Sequence, residues 1–439
     1  MRSLTVATSL FPELESFGSE CRRLTSLSLG PFGSVSQPKQ WCSWLKALVA
    51  VNPSIDTLQF HLHDQLDHNL FRKYNVLEDM PALKNLAILN DRYPVASSSS
   101  SNGVFEAILE CGPRLDSLSY EVAWGGAILE VGCVGSNIQS MASEPWNLSS
   151  LNIYDKDGRR EMELLKLCPN LRQYKTRVDF RRNAYESLQQ LTQNYKAGHP
   201  SCLEHLEISL MQGPWTAGAL EELLRVSGES TGLKTFNVLH SGVSESTMQT
   251  LLVHHAKTLE KVVMNNVPWP NPGDLELLLT TCPRLKHLEI PVWSETPWLH
   301  NLVKTPWVCK DLEILHLKTR QRCRTPSGAK MPEIASEEED EEVAFTKGEI
   351  SPQRQFWNRL GALKNLRMLH LNSESKHRTL PRIISIVHED LESLTKLKLL
   401  QEFEIPPWEE FMNPAIKEEL QLRRPDLHVN FINELLLLS

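Results

Sequence analysis

No run of about 18 apolar residues occurs anywhere in the 439-residue chain, so no segment has the composition of a helix that spans a bilayer. Met1–Leu10 lacks the long apolar core of a secretory signal. Excess positive charge is also missing. A formal net charge of -8 and a pI near 6.0 argue against a nucleic-acid surface, which needs clustered Lys and Arg. The nine cysteines form no CxxC pair and no metal-ligand spacing, so neither a metal nor a redox cofactor is expected. GxxxxGK[ST] and HExxH are both absent, which removes the usual signatures of phosphate cradling and zinc hydrolysis. His254 and His255 are consecutive and do not have ligand spacing, and Glu221 and Glu222 are consecutive and do not face each other. Cys309 is the one candidate nucleophile, and its position in the pattern below predicts burial, where a thiol is inert. The chain therefore reads as a binding protein, with an enzyme well behind.

What is present is a repeat. The stretch LLTTCPRLKHLEI, Leu278–Ile290, reads as the end of a helix, a Cys-Pro stop, and a short strand whose Leu285, Leu288 and Ile290 point inward. The phrase L-x-x-L-x-L recurs with anchors at Leu24, Ile55, Leu83, Leu115, Leu148, Leu171, Leu203, Leu233, Leu259, Leu285, Leu312, Leu366 and Leu400. Neighbouring anchors lie mostly about 23 to 34 residues apart, room for a strand, a turn and a helix in each unit. One such phrase is common in any amphipathic helix; thirteen in step are not. The fold class that follows is α/β: a leucine-rich-repeat solenoid (horseshoe) with a parallel concave sheet and convex helices. Because each unit packs only on its neighbours, residues 1–439 are expected to form a single leucine-rich-repeat domain.

Along the chain, Arg2–Val6 reads as the end of a strand and Phe11–Phe17 as a weak repeat. Nothing there resembles a polar capping unit, which predicts further residues upstream. Helices are expected near Trp41–Val51, Asp67–Asp79, Val104–Glu110, Glu161–Leu167, Tyr185–Tyr195, Ala217–Val226, Ser246–Ala256, Asp274–Thr281 and Trp408–Leu422, and a closing strand at Leu427–Ile432. Cys21, Cys168, Cys282 and Cys309 each stand three residues before an anchor, so they read as small buried hydrophobes in a reducing compartment, the cytoplasm or the nucleus.

The binding surface follows from strand geometry. Alternate strand residues face opposite sides, so residues two, four and six after an anchor should face the concave side. These positions read Gln173, Lys175, Arg177; His205, Glu207, Ser209; Lys261, Val263, Asn265; His287, Glu289, Pro291; Ile314, His316, Lys318; and Met368, His370, Asn372. Lys175, Arg177, His205, Glu207, His287, Glu289, His316, Lys318 and His370 are the candidate protein-binding residues. A solvated face with internal pairs, for example Lys175 beside Glu207, is the alternative. Ordinary histidine titration near pH 6.5 predicts binding that changes between about pH 6 and 7.5. Trp124, Trp215, Trp269, Trp293 and Trp408, mostly beside proline, share one edge. They form either an exposed ridge or caps over their own repeats.

CPNL at Cys168–Leu171, CPRLKHLEI at Cys282–Ile290, WVCKDLEILHL at Trp307–Leu317 and RLGALKNLRMLHL at Arg359–Leu371 resemble the leucine-rich repeats of fungal F-box proteins over most of the chain. The resemblance implies the substrate-recognition part of a cullin-RING ubiquitin ligase receptor, with the target on the concave face. It also implies a cullin-ligase adaptor held through an F-box that is not among these residues. A leucine-rich-repeat interaction scaffold not linked to ubiquitination is the other reading. Neither a nucleic acid nor a membrane is expected as a partner.

After Leu317 the rhythm breaks: the anchors Leu312 and Leu366 stand about twice the usual distance apart. Between them lie Lys318, Arg320, Arg322 and Arg324, then the acidic run Glu337–Glu342. So polar a segment cannot bury enough apolar area to order itself, and residues 319–352 are expected to be a disordered insertion within the repeats. Limited proteolysis should therefore cut first between Thr325 and Ser351 and leave two associated fragments. Protection there equal to that of the helices would show a docked segment instead.

Overall fold

In several repeats the anchor closes the turn that delivers the chain to its strand. Leu285 donates its backbone N–H to the carbonyl of Cys282 at 3.3 Å, and Leu83, Leu366 and Leu400 do the same to Met80, Leu363 and Leu397 at 3.0–3.1 Å. All thirteen anchors are at most 2% exposed. In this computed structural model residues 3–6, 22–29, 38–61, 77–90, 108–122, 145–154, 159–178, 181–197, 203–210, 215–229, 232–239, 243–265, 273–293, 298–320, 351–373, 386–405 and 412–431 are described. The chain divides into two compact units, Met1–Leu233 and Lys234–Ser439.

Among the described residues, the first unit holds β1 (Ser3–Val6), β2 (Ser26–Leu29), β3 (Thr57–His61), β4 (Asn85–Asn90), β5 (Ser117–Val122), β6 (Ser150–Tyr154), β7 (Gln173–Val178) and β8 (His205–Leu210). Each pairs in parallel with the next. The second unit holds β9 (Thr235–Leu239), β10 (Lys261–Asn265), β11 (His287–Trp293), β12 (Ile314–Arg320), β13 (Met368–Ser373), β14 (Glu402–Ile405) and β15 (His428–Phe431), again parallel and in sequence order. Parallel neighbours need a crossover, and the helices supply it. Leu275, Leu278 and Leu279 of the helix Asp274–Thr281 are buried together with Leu288 and Ile290 of β11. This strand–helix–strand repetition with leucine anchors is a leucine-rich-repeat solenoid.

A second backbone contact stitches repeat to repeat. The carbonyl of the residue after most anchors accepts two N–H groups from the next repeat: Thr25 takes Asp56 and Thr57 at 2.9 and 3.1 Å, and Arg172 takes Glu204 and His205 at 2.8 and 3.0 Å. In the second unit Glu260 takes Lys286 and His287 at 2.8 and 3.0 Å. The contact uses only backbone, so side chains at this position are unconstrained and mostly charged.

The position three before the anchor lies under this turn. Cys168, Cys282 and Cys309 fill it and are at most 1% exposed. Asn52 fills it in an early repeat: its side-chain oxygen accepts from the Leu24 N–H at 3.0 Å, and its amide donates to the Leu48 carbonyl at 2.9 Å. In the last repeat Arg424 fills it, donating to the carbonyls of Leu397 and Leu400 at 2.6 and 2.8 Å while pairing with Asp426. Gly112 fills it before Leu115, where close packing leaves no room for a side chain. A Cβ on Gly112 would stand 2.2 Å from the buried ring of Trp146.

The expected helices at Glu161–Leu167, Tyr185–Tyr195, Ala217–Val226 and Ser246–Ala256 are present within a few residues as Arg159–Leu167, Arg181–Lys196, Trp215–Gly228 and Glu245–His255, and Asp274–Thr281 has the expected bounds. The helix expected at Trp408–Leu422 instead runs Pro414–Arg423, because Asn413 caps it, accepting from the Ala415 N–H at 2.9 Å, and proline occupies its first position. The weak repeat Phe11–Phe17, Cys21, and residues 321–350 of the expected insertion lie outside the described residues. On either side of that segment Ile314 pairs in register with Met368, and the Trp307 ring meets Phe356 edge-on at 5.9 Å.

Leu288 is fully buried, so Leu288→Ala should destabilise the protein by about 2–5 kcal/mol in urea denaturation. A loss below about 0.5 kcal/mol, far under the range for buried leucine truncations, would contradict this register.

Candidate functional site

Strand register aligns the open-face positions into rows. In the first unit the rows from β2 to β6 read Ser26, Thr57, Asn85, Ser117, Ser150 and Ser28, Gln59, Ala87, Ser119, Asn152. These neutral side chains bond laterally: Asn152 donates to Ser119 Oγ at 2.9 Å and Asn85 to Thr57 Oγ1 at 3.2 Å. Ions enter at β7 and β8, where Lys175 stands opposite Glu207 and pairs with it at 3.0 Å. The internal pair offered by the sequence as the alternative is thus present. His205, half-exposed, lies 3.9 Å from Glu204. Arg177 lies opposite Ser209; nothing is described of its side chain.

The second unit carries the ionisable part. Register places Glu289, His316, His370 and Glu404 side by side on β11 to β14, with Lys318 one step along β12. Lys318 Nζ lies 2.7 Å from Glu289 Oε1 and 2.6 Å from Asn265 Oδ1. His316 Nδ1 lies 3.4 Å from Glu289 Oε1, and its ring meets that of His370 edge-on at 5.0 Å. His370 Nδ1 lies 3.1 Å from Glu404 Oε2 and its Nε2 3.7 Å from Glu402 Oε1. The row is thus carboxylate, imidazole, imidazole, carboxylate. Three of the expected face positions are buried, Ser209, Val263 and Pro291, so the face is not uniformly open.

Burial acts on His316, His287 and Glu289. It lowers His316 to about 4, with Lys318, His370 and His287 adding to the effect and Glu289 opposing it. Burial also lowers His287, aided by Lys261 and opposed by Glu289. Burial raises the Glu289 carboxyl, but Lys318, His316 and Asn265 outweigh it and hold the group below the usual range. The pH 6 to 7.5 window expected from ordinary histidine therefore moves to the acid side for His287 and His316.

Among the described residues no group of three or more His, Cys, Asp or Glu is placed to hold a metal ion, and no helix is long and apolar enough to cross a membrane. Burial pushes the Cys309 thiol up to about 12, which removes the basis for a nucleophile there. Trp215 begins a helix and Trp293 ends β11, with nothing described of their side chains; Trp124, Trp269 and Trp408 lie outside the described residues. Glu402 and Glu404 are not among the candidates read from the sequence, although they stand two and four residues after the anchor Leu400, where the same alternation places them on this face.

No family model matches the chain, and no curated protein matches it. Among solved structures it is similar to the yeast Rad7 and Elc1 complex, at 14% identity, over 72% of this chain and 83% of that chain, with a TM-score of 0.41. Fold and face together define a leucine-rich-repeat solenoid with an ionisable patch on β10 to β14.

His316 gives a pH signature. Between about pH 6.5 and 4 the unfolded imidazole binds a proton that the folded one does not, so this group lowers stability as pH falls through that window. The melting temperature should drop on acidification, and less steeply in His316→Gln. Equal slopes would mean that His316 is not desolvated.

Proposed function

We propose that the protein is a protein-interaction scaffold whose open sheet face, at His287, Glu289, His316, Lys318 and His370, holds a protein target. One observation carries the reading: a row of half-buried ionisable side chains held in register across β11 to β14, on the side of the sheet away from the leucine core. Half-burying charge is costly, and a half-buried pair such as Glu289 and Lys318 gives little net stability, so the fold alone does not explain its presence. In the first unit Lys175, Arg177, His205 and Glu207 form a separate candidate patch. The finer reading is the substrate-recognition part of an F-box-type receptor of a cullin-RING ubiquitin ligase. It is supported by the CPRLKHLEI and WVCKDLEILHL phrases and their resemblance to fungal F-box repeats. The same proposal takes residues 1–439 as one repeat domain, since the anchor phrase runs through both units. It takes the cytoplasm or nucleus as the compartment, in keeping with the buried free thiols of Cys111, Cys168, Cys282 and Cys309.

The test is affinity purification of the tagged protein, expressed from its complete coding sequence, as wild type, as His287→Ala/His316→Ala/His370→Ala, and as a helix-surface control, Glu222→Lys. The wild type and the control should recover the same targets, the triple variant should lose them at an unchanged melting temperature near pH 7.5, and all three should recover a cullin adaptor. Absence of the adaptor from all three would overturn the ligase reading. Equal target recovery by both variants would overturn the face reading and turn attention to the tryptophan edge.

A further inference from the structure

Five adjacent strands of the second unit carry one line of side chains at a common register: Lys261, His287, Ile314, Met368 and Glu402. All five are half-buried. The line has a cation at one end, two apolar side chains in the middle and a carboxylate at the other end. Glu404, two residues along β14, faces the same way and doubles the negative end.

Elsewhere on this unit's face opposite charges satisfy each other, as Glu289 and Lys318 do. At the two ends they do not. Among the described residues, Lys261 has no carboxylate within ion-pair distance. Among the described residues, the ion-pair partner of Glu402 and Glu404 is the imidazole of His370, and their neighbours on β15 are His428 and Asn430. Four inter-strand steps of about 4.8 Å separate the ends, roughly 19 Å in all. Unmatched charges of opposite sign at a fixed separation select polarity, because the complementary arrangement is attracted and the reversed one repelled. An extended chain covers that distance in about six residues.

We infer that this line docks an extended segment of a protein partner, laid across the strands with an acidic side chain at Lys261, an aliphatic side chain over Ile314 and Met368, and a Lys or Arg between Glu402 and Glu404. The inference rests on the protein-binding reading above and adds the polarity of the bound segment. The arginine or lysine end is the stronger determinant, since two carboxylates already partly ordered by His370 can both accept from it.

A random-sequence linear peptide library displayed on phage is the probe, selected near pH 7.5 against the purified chain. Peptides selected by the wild type should carry a basic residue and an acidic residue flanking an aliphatic centre. Their binding should weaken by roughly tenfold or more in Glu402→Gln/Glu404→Gln and fall with added salt. The charge-reversed protein, Lys261→Glu/Glu402→Lys/Glu404→Lys, should select the opposite polarity, while a swap on a helix surface, Glu222→Lys/Arg225→Glu, should select the wild-type one. Melting curves establish that each variant is folded; Glu402→Gln/Glu404→Gln, which keeps side-chain shape, carries the comparison if the reversed protein does not fold. Failure to enrich any peptide, or enrichment of peptides without this polarity, overturns the inference. If such peptides bind the glutamine variant normally but lose binding to His316→Ala/His370→Ala, the face reading survives and this inference does not. Peptides insensitive to both sets of variants overturn both.

Discussion

One carbonyl, on the residue after the anchor, fixes the register of successive strands. By accepting two N–H groups from the following repeat it sets where the next strand begins, whatever lies between. The longest connection shows this: although about twice the usual number of residues separates Leu312 from Leu366, the Glu313 carbonyl takes Arg367 and Met368 at 2.8 and 3.1 Å, as its counterparts do elsewhere. Closing a long loop costs little more than closing a short one, so connections can lengthen without disturbing the ladder. Register is therefore decoupled from loop length.

That decoupling separates the work of the side chains. The anchors and the strand residues after them fill the core, and the position three before the anchor closes the turn. The outward positions carry none of this, and the two units use them differently. In two rows from β2 to β6 the face is hydroxyl and amide apart from Ala87, with lateral bonds between neighbours. On β11 to β14 it is ionisable, with Glu289, His316, His370 and Glu404 in one row. The backbone is the same in both; only the alternate residues differ.

The same separation explains what could be read from the sequence. Leucine spacing reports the core directly, which is why the strands, the anchors and most helices were legible, and why the cysteines before the anchors could be placed in the core. Polar residues doing a core residue's work gave no such signal. Asn52 and Arg424 occupy the position that cysteine fills elsewhere, and their bonds to Leu24, Leu48, Leu397 and Leu400 depend on carbonyls and amides that only the folded chain brings near. The face positions on β11 to β13 followed from alternation alone, and the same alternation after the anchor Leu400 reaches Glu402 and Glu404. The C-terminal helix began later than its apolar pattern because a cap and a proline decide a start more strongly than periodicity does.

Burial also decides which groups give the second unit's face its charge. Desolvation holds His316, and to a lesser degree His287, toward the neutral form, so near neutral pH these two act as flat hydrogen-bonding surfaces, with the charge on lysine and glutamate. Within that set Lys318 and Glu289 cancel at 2.7 Å. Among the described side chains, what remains to be felt at a distance is Lys261 at one end of the line and Glu402 with Glu404 at the other. A partner approaching this patch therefore meets an oriented pair of charges with imidazole and aliphatic surface between them, and His316 and His287 contribute shape and contact before they contribute charge.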